Sequence, residues 1–123
     1  LNFEFGFDFP MHELSLMEAT LAIALEQAHQ HHADHIHRLV LRIGALSGVV
    51  PDALEFAFDV VTQGTMAEGA SLDIESVPTT CYCNDCQTSF QPNDYIFECP
   101  TCGGISSQIL SGKEIELSSL ELS

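Results

Sequence analysis

The spacing of apolar residues along the chain changes period repeatedly, and each change predicts an element. Leu1, Phe3, Phe5, Phe7 and Phe9 alternate with Asn2, Glu4, Gly6 and Asp8, the period of a strand with one apolar face. From Ser15 the period lengthens, so that Leu14, Met17, Leu21, Ala24, Leu25 and Ala28 recur every three or four residues, as on one side of a helix. Ser15-Leu16-Met17-Glu18 fits a capping box at its start, and the pattern carries the helix to about Gln30. Between Arg38 and Ile43 the period returns to two, with Leu39, Leu41 and Ile43 on one side and Arg38, Val40 and Arg42 on the other. This predicts a half-buried strand that Gly44 and Gly48 end. Pro51 suits the first turn of a second helix, whose buried stripe is Leu54, Ala57, Phe58 and Val61, and Gly64 offers it a left-handed cap. Leu72 and Ile74, alternating with Asp73 and Glu75, begin a strand that Pro78 interrupts. Lys113 to Leu122 reads as a last strand, kinked at Ser118-Ser119.

That order predicts an α+β fold, two helices on one face of a small mixed β-sheet, with a second lobe inserted before the last strand. The expected boundaries are 11–78 plus 111–123 for the first lobe and 79–110 for the second, joined through Leu72 to Val77 and Lys113 to Leu122. Residues 1–10 stand apart as a leader, because Met11 is a plausible initiator. If ordered, that leader needs a sheet edge, and a neighbouring molecule could supply one.

The insert carries the clearest chemistry. Cys83-Asn84-Asp85-Cys86 and Cys99-Pro100-Thr101-Cys102 are two knuckles whose turns aim paired sulfurs at one centre. Four thiolates at about 2.3 Å close a tetrahedron around zinc and leave no position for water or substrate. The site therefore holds a fold, in a zinc-ribbon-like arrangement of four cysteines. Gly103 and Gly104 can turn their N–H groups toward the sulfurs. Iron suits the same donors by softness and geometry. Two disulfides are the competing reading, which five cysteines and the lack of a secretory signal disfavour. Cys81 is a spare thiol with a small buried side chain.

Charge narrows the function classes. Three basic residues against eighteen acidic ones give a net charge of −15, which repels phosphate backbones and denies a nucleic-acid role. No apolar run is long enough to span a bilayer, so the chain reads as soluble and cytoplasmic. With 46% hydrophobic residues in 123, the chain can bury one modest core, and the metal organises what the core cannot. No Walker loop, G-x-S-x-G elbow or dinucleotide fingerprint is present. Adjacent His12-Glu13 and the closed set of four thiolates do not match a zinc deaminase, and the chain is not expected to be an enzyme.

Two histidine features remain. His12, beside Met11 and Glu13, stands where an α-amine, backbone nitrogens and an imidazole could surround Ni(II) or Cu(II) in a plane; the competing reading is a surface histidine near a helix start. His29, His31, His32, His35 and His37 crowd the end of the first helix, either as a nickel reserve or as a solvated helix end.

Met11-His12-Glu13, the helix from Val50-Pro51-Asp52 to Gln63-Gly64-Thr65, and two knuckles twelve residues apart together resemble the HypA family, nickel metallochaperones of [NiFe]-hydrogenase maturation. The resemblance covers Met11 to Ser123. It implies a nickel-binding α+β domain and a zinc domain, with Ni(II) as transient cargo and Zn(II) as structural ion. It implies His12 as principal nickel ligand, with the backbone nitrogens of His12 and Glu13 and the amine of Met11, while Cys83, Cys86, Cys99 and Cys102 hold zinc. It also implies delivery of nickel to the hydrogenase large-subunit precursor with a GTPase accessory protein. The alternative is a zinc-stabilised adaptor whose acidic surface meets a basic partner. Because Pro10 precedes Met11 here, the nitrogen of Met11 is an amide and not an amine ligand, which predicts weakened nickel binding with the leader attached. Exposed strand edges allow a homo-oligomer.

Overall fold

The computed structural model of the chain describes residues 2–6, 13–92, 97–106 and 108–123. Among these, strand β1 spans Asn2–Gly6, helix α1 Glu13–Gln30, strand β2 Ile36–Gly44, helix α2 Pro51–Val61 and strand β3 Ser71–Val77. Three short strands follow, β4 at Thr80–Cys83, β5 at Thr88–Phe90 and β6 at Gln108–Ser111, and β7 closes the order at Ile115–Leu122. The strands form two sheets, one of four in the order β1-β7-β2-β3 and one of three in the order β5-β4-β6. The first is mixed, as expected. β2 and β3 run parallel across the α2 crossover, whereas β7 is antiparallel to both β1 and β2.

One apolar core joins this sheet to both helices. Leu39, Leu41 and Ile43 of β2 and Ile115, Leu117 and Leu120 of β7 meet Leu16, Met17, Leu21, Ala24 and Ala28 of α1 and Leu54, Ala57 and Phe58 of α2. The strand residues alternate because one face of the sheet carries the helices. In β7 the alternation breaks between Leu117 and Leu120, where the register with β2 shifts opposite Val40 and Leu41. The kink at Ser118-Ser119 is thus a bulge, which returns Leu120 to the core face. Ser118 Oγ donates to the Val40 carbonyl at 3.3 Å there. Val40 itself is buried, which a two-sided strand pattern did not predict.

The first helix buries Met17, Leu21, Ala24 and Ala28 as predicted, with Leu16 in place of Leu14. It begins at Glu13, so Ser15 lies inside the first turn and the capping box does not form. Leu16 is fully buried and Leu14 is 47% exposed. Thr20, also buried, is accommodated because its hydroxyl donates to the Leu16 carbonyl at 2.8 Å. At α2, Pro51 stands in the first turn as predicted. Thr62 ends the helix, its N–H and hydroxyl both bonded to the Phe58 carbonyl at 3.1 and 2.7 Å. Gly64 takes its positive φ of 76° two residues beyond. On the outer sheet face, Arg38 pairs with Asp73 of β3 and Glu121 of β7, and Arg42 pairs with Glu116 at 3.0 Å. Two of the three basic side chains are used to link strands.

β1 lies along β7 of its own chain, with Phe5 opposite Leu117 and Gly6 opposite Glu116. The edge it needs is therefore supplied within the molecule. Among the described residues, no helix is long and apolar enough to cross a membrane.

The two sheets meet where the chain enters and leaves the smaller one. Leu46 N–H donates to the Gly112 carbonyl at 2.6 Å, Gly44 N–H to the Glu114 carbonyl at 2.7 Å, and Ala45 N–H to the Val77 carbonyl at 2.9 Å. A Cβ on Gly44 would collide with the Gly112 carbonyl, and one on Gly112 would lie 2.9 Å from the Thr79 Cα. Gly64, by contrast, faces open space. Gly44→Ala should therefore lower stability by about 2–3 kcal/mol through backbone displacement. Gly64→Ala should cost only the left-handed backbone, about 1 kcal/mol. Leu117→Ala should cost about 2–5 kcal/mol, and urea unfolding midpoints of the three variants rank them.

Candidate functional site: a four-sulfur centre and the start of the first helix

Each knuckle is held by a hairpin. β4 and β5 pair with Cys83 opposite Thr88, so the chain must reverse over Asn84 to Gln87. Gln87 takes φ of +55° to do it, the left-handed conformation that side chains enter at a cost. The second knuckle sits inside a bridge between Glu98 and Ile105. Cys99 N–H donates to the Gly104 carbonyl and Gly103 N–H to the Cys99 carbonyl, each at 2.8 Å. Gly103 takes φ of +74°, which makes the turn tight enough to aim Cys99 and Cys102 together.

The four sulfurs of Cys83, Cys86, Cys99 and Cys102 all lie within 4.8 Å of one another. Cys83 and Cys102 are 3.6 Å apart and Cys86 and Cys99 4.0 Å. Four sulfurs at about 2.3 Å from a tetrahedral centre stand about 3.8 Å apart. The donor set thus fits a metal such as zinc. None of the five cysteines is in a disulfide. Cys83 and Cys99 are buried and Cys102 is exposed, so the cluster is walled on the sheet side and open on the loop side.

Main-chain dipoles set the thiols apart. The N–H groups of Cys102 and then Thr101 point at the Cys99 sulfur and lower its pKa to about 7, against the opposing effect of burial. Cys86 is pushed up to about 12, first by its hydrogen bond with Cys102 and then by burial. Gly104 N–H reaches the Cys102 sulfur at 3.4 Å, the role foreseen for it, whereas Gly103 serves the backbone and not a sulfur. Cys81 is fully buried in β4, and burial raises its thiol. It lies opposite Phe90 and Ile109, outside the four-sulfur group.

Ser106 was not singled out by the sequence. It is 8% exposed, and its hydroxyl donates to the Tyr82 carbonyl at 2.6 Å. It thereby ties the segment after the second knuckle to the strand carrying the first. A lone serine in a Gly-Ile-Ser-Ser run gives no periodic signal that could have revealed this.

The second predicted site is described only in part. Met11 and His12 lie outside the described residues, and Glu13 opens α1. The Glu13 carboxylate accepts the Val50 N–H at 3.1 Å. This ties the start of α1 to the loop before α2, whose other end reaches Gly112 through Leu46. The helix start is thereby fixed against the loop that borders the smaller sheet. The five clustered histidines are all exposed around the end of α1.

Comparison with known proteins adds to this geometry. The sequence profile described as "Hydrogenase/urease nickel incorporation, metallochaperone, hypA" matches residues 11–122. A hydrogenase maturation factor HypA of Picosynechococcus is 54% identical over 112 residues, covering 91% of this chain and 99% of that protein. One from Acidithiobacillus ferrooxidans is 45% identical over the same shares. The solution structure of the Ni metallochaperone HypA from Helicobacter pylori superposes with a TM-score of 0.63 at 28% identity, covering 91% of this chain and 97% of that one. A second HypA solution structure gives 0.69 at 30%, covering 93% and 98%.

Cys83→Ser should abolish stoichiometric bound metal and collapse the β5-β4-β6 amide resonances, while those of β2 and β7 persist. Cys81→Ser should keep one equivalent of metal. Elemental analysis with a two-dimensional amide spectrum checks both, and metal loss from Cys81→Ser would show the donor set to be wrong.

Proposed function

The chain belongs to the HypA family of hydrogenase and urease nickel-incorporation metallochaperones, and on that footing we propose that it carries Ni(II) to the [NiFe]-hydrogenase large-subunit precursor. A GTPase accessory protein of the same maturation process is the expected second partner, and the cytoplasm the place of action. The observation that carries this reading is the family match itself, which runs from Met11 to Leu122 and so takes in Met11-His12-Glu13, both helices and both knuckles.

In this reading the imidazole of His12, the main-chain nitrogens of His12 and Glu13, and the amine that Met11 would have as first residue surround Ni(II). Deprotonated amides and an imidazole favour a planar d⁸ ion. Few side chains take part, and the ion can leave by unwinding one chain end, as a carrier requires. Glu13 contributes its main-chain nitrogen, while its carboxylate, held by Val50 N–H, anchors the end of the site to the fold. Zn(II) is the ion assigned to Cys83, Cys86, Cys99 and Cys102, with a structural role in a lobe of residues 79–110. Residues 11–78 and 111–123 form the nickel-binding lobe. Four thiolates leave no coordination position for an activated water, so catalysis falls to the partners.

Nickel titration of zinc-loaded protein that begins at Met11 should show one reversible site with the visible absorbance of square-planar Ni(II). His12→Ala should remove that absorbance, and attaching residues 1–10 should weaken binding by about ten-fold or more, since an amide replaces the amine ligand. A planar spectrum indifferent to both changes would refute the assignment.

A further inference from the structure

Six large apolar side chains stand exposed among the described residues: Leu14, Val50, Phe56, Val60, Ile105 and Leu110. Two of them share one face of one helix. Phe56 and Val60, four apart on α2, are 73% and 48% exposed, and residues at that spacing lie one above the other. They point away from Leu54, Ala57 and Phe58, the residues of α2 that enter the core. A lone exposed apolar group is ordinary on a protein surface. What sets this pair apart is the charge beside it.

Asp52, Glu55 and Asp59, all exposed, form a row along the same helix. Asp52 is four residues before Phe56 and Asp59 three after it, so a carboxylate stands one turn to either side of the ring. Like charges at these spacings repel. Asp59 also lies in the last turn, where the helix dipole disfavours an anion, and no basic residue of that turn offsets it. The chain has only three lysines and arginines. Arg38 and Arg42 pair with Asp73, Glu121 and Glu116 on the sheet face opposite the helices, and Lys113 lines a hollow with Ile109 and Leu110. Among the described residues, none of the three reaches the row on α2. An apolar pair is thus flanked by carboxylates whose repulsion this chain does not relieve.

We propose that this face of α2 docks a basic amphipathic helix of a partner protein. The partner's apolar residues, three and four apart, cover Phe56 and Val60, and its lysines or arginines meet Asp52, Glu55 and Asp59. Packed helices stand about 8–10 Å apart, and a basic side chain can lay its stem on Phe56 while its head reaches a carboxylate. A second copy of this chain does not fit, because a two-fold contact between such faces would set three carboxylates against three. An anionic bilayer is repelled for the same reason. One helix face is smaller than a lasting interface requires, so the contact is transient, with charge governing approach and partner choice. At the Val50 end of α2 the occupant nears the start of α1, where Glu13 accepts the Val50 N–H. The inference stands on α2 alone and not on the carrier reading.

The test titrates the full, zinc-loaded, nitrogen-15-labelled chain with a synthetic peptide of about five helical turns, leucine on one face and lysine along both flanks. Amide shifts should concentrate on residues 51–63. Phe56→Ala should weaken binding by about ten-fold or more with the urea midpoint unchanged, since most of that ring is already in water. Asp52→Asn with Asp59→Asn should weaken it too and flatten its dependence on salt. Glu75→Gln, which faces outward with Arg42 on the sheet, should do neither. No binding, equal binding of a shuffled peptide of the same composition, or indifference to Phe56→Ala would each overturn the site. So would concentration-dependent shifts of α2 without peptide, which give the face to a second copy, or phosphatidylcholine vesicles bound through Phe56, which give it to a bilayer.

Discussion

The pairing of β2 with β7 is the constraint on which everything else in the molecule depends. These strands lie 74 residues apart at the Arg42 to Glu116 contact, and they carry the wall of the core against which both helices pack. β3 attaches to one side of the pair and β1 to the other. The smaller sheet is suspended from the ends of β3 and β7, so its position is also decided by where that pair is fixed. The outer-face cations do the same work from the opposite side, since Arg38 reaches across to Asp73 and Glu121 at once. Exposed pairs of this kind add little stability, but they set strand order against a chain otherwise full of like charges.

Much of this could be read before any coordinates. The period-two runs of Leu39 to Ile43 and Leu72 to Ile74, the proline at the start of α2 and the kink at Ser118-Ser119 correspond to β2, β3, α2 and a bulge, because each signal is local. The four cysteines were equally plain, since two knuckles carry their geometry in their spacing. The buried stripe of α1 was plain from Met17 onward, but its first residue was not. Leu14 and Leu16 are both apolar and flank the stripe of Met17, Leu21, Ala24 and Ala28, so the sequence does not specify which of the two it buries. Leu16 joins the core cluster and Leu14 stays exposed. The capping box of Ser15 and Glu18 did not form because the helix already runs from Glu13, whose carboxylate also accepts the Val50 N–H thirty-seven residues away. β4, β5 and β6 are three or four residues long, too short for a period to register.

The donor atoms fall into two kinds with opposite physical character. The sulfurs are packed between hairpins whose main-chain N–H groups already tune Cys99 toward its anion, and a metal held there completes a structure. The imidazoles at the end of α1, by contrast, are exposed and follow a turn. Tight cages exchange slowly and open sites quickly, because release from a cage requires the surrounding fold to open. A carrier that keeps one metal and parts with another needs both kinds.

The crossing of Gly44, Thr79 and Gly112 has a consequence for how such a chain can change over generations. The obstacle to a side chain at Gly44 is wholly backbone, of Gly112 and Glu114, so no compensating substitution elsewhere can make room, whereas Gly112 is confined by both the side chain and the Cα of Thr79. Within the lobe beyond that crossing, loops can lengthen and surface residues drift as long as four sulfurs still converge. The foot of the lobe is held to its present atoms, a fixed hinge pin around which the rest is free to be rewritten.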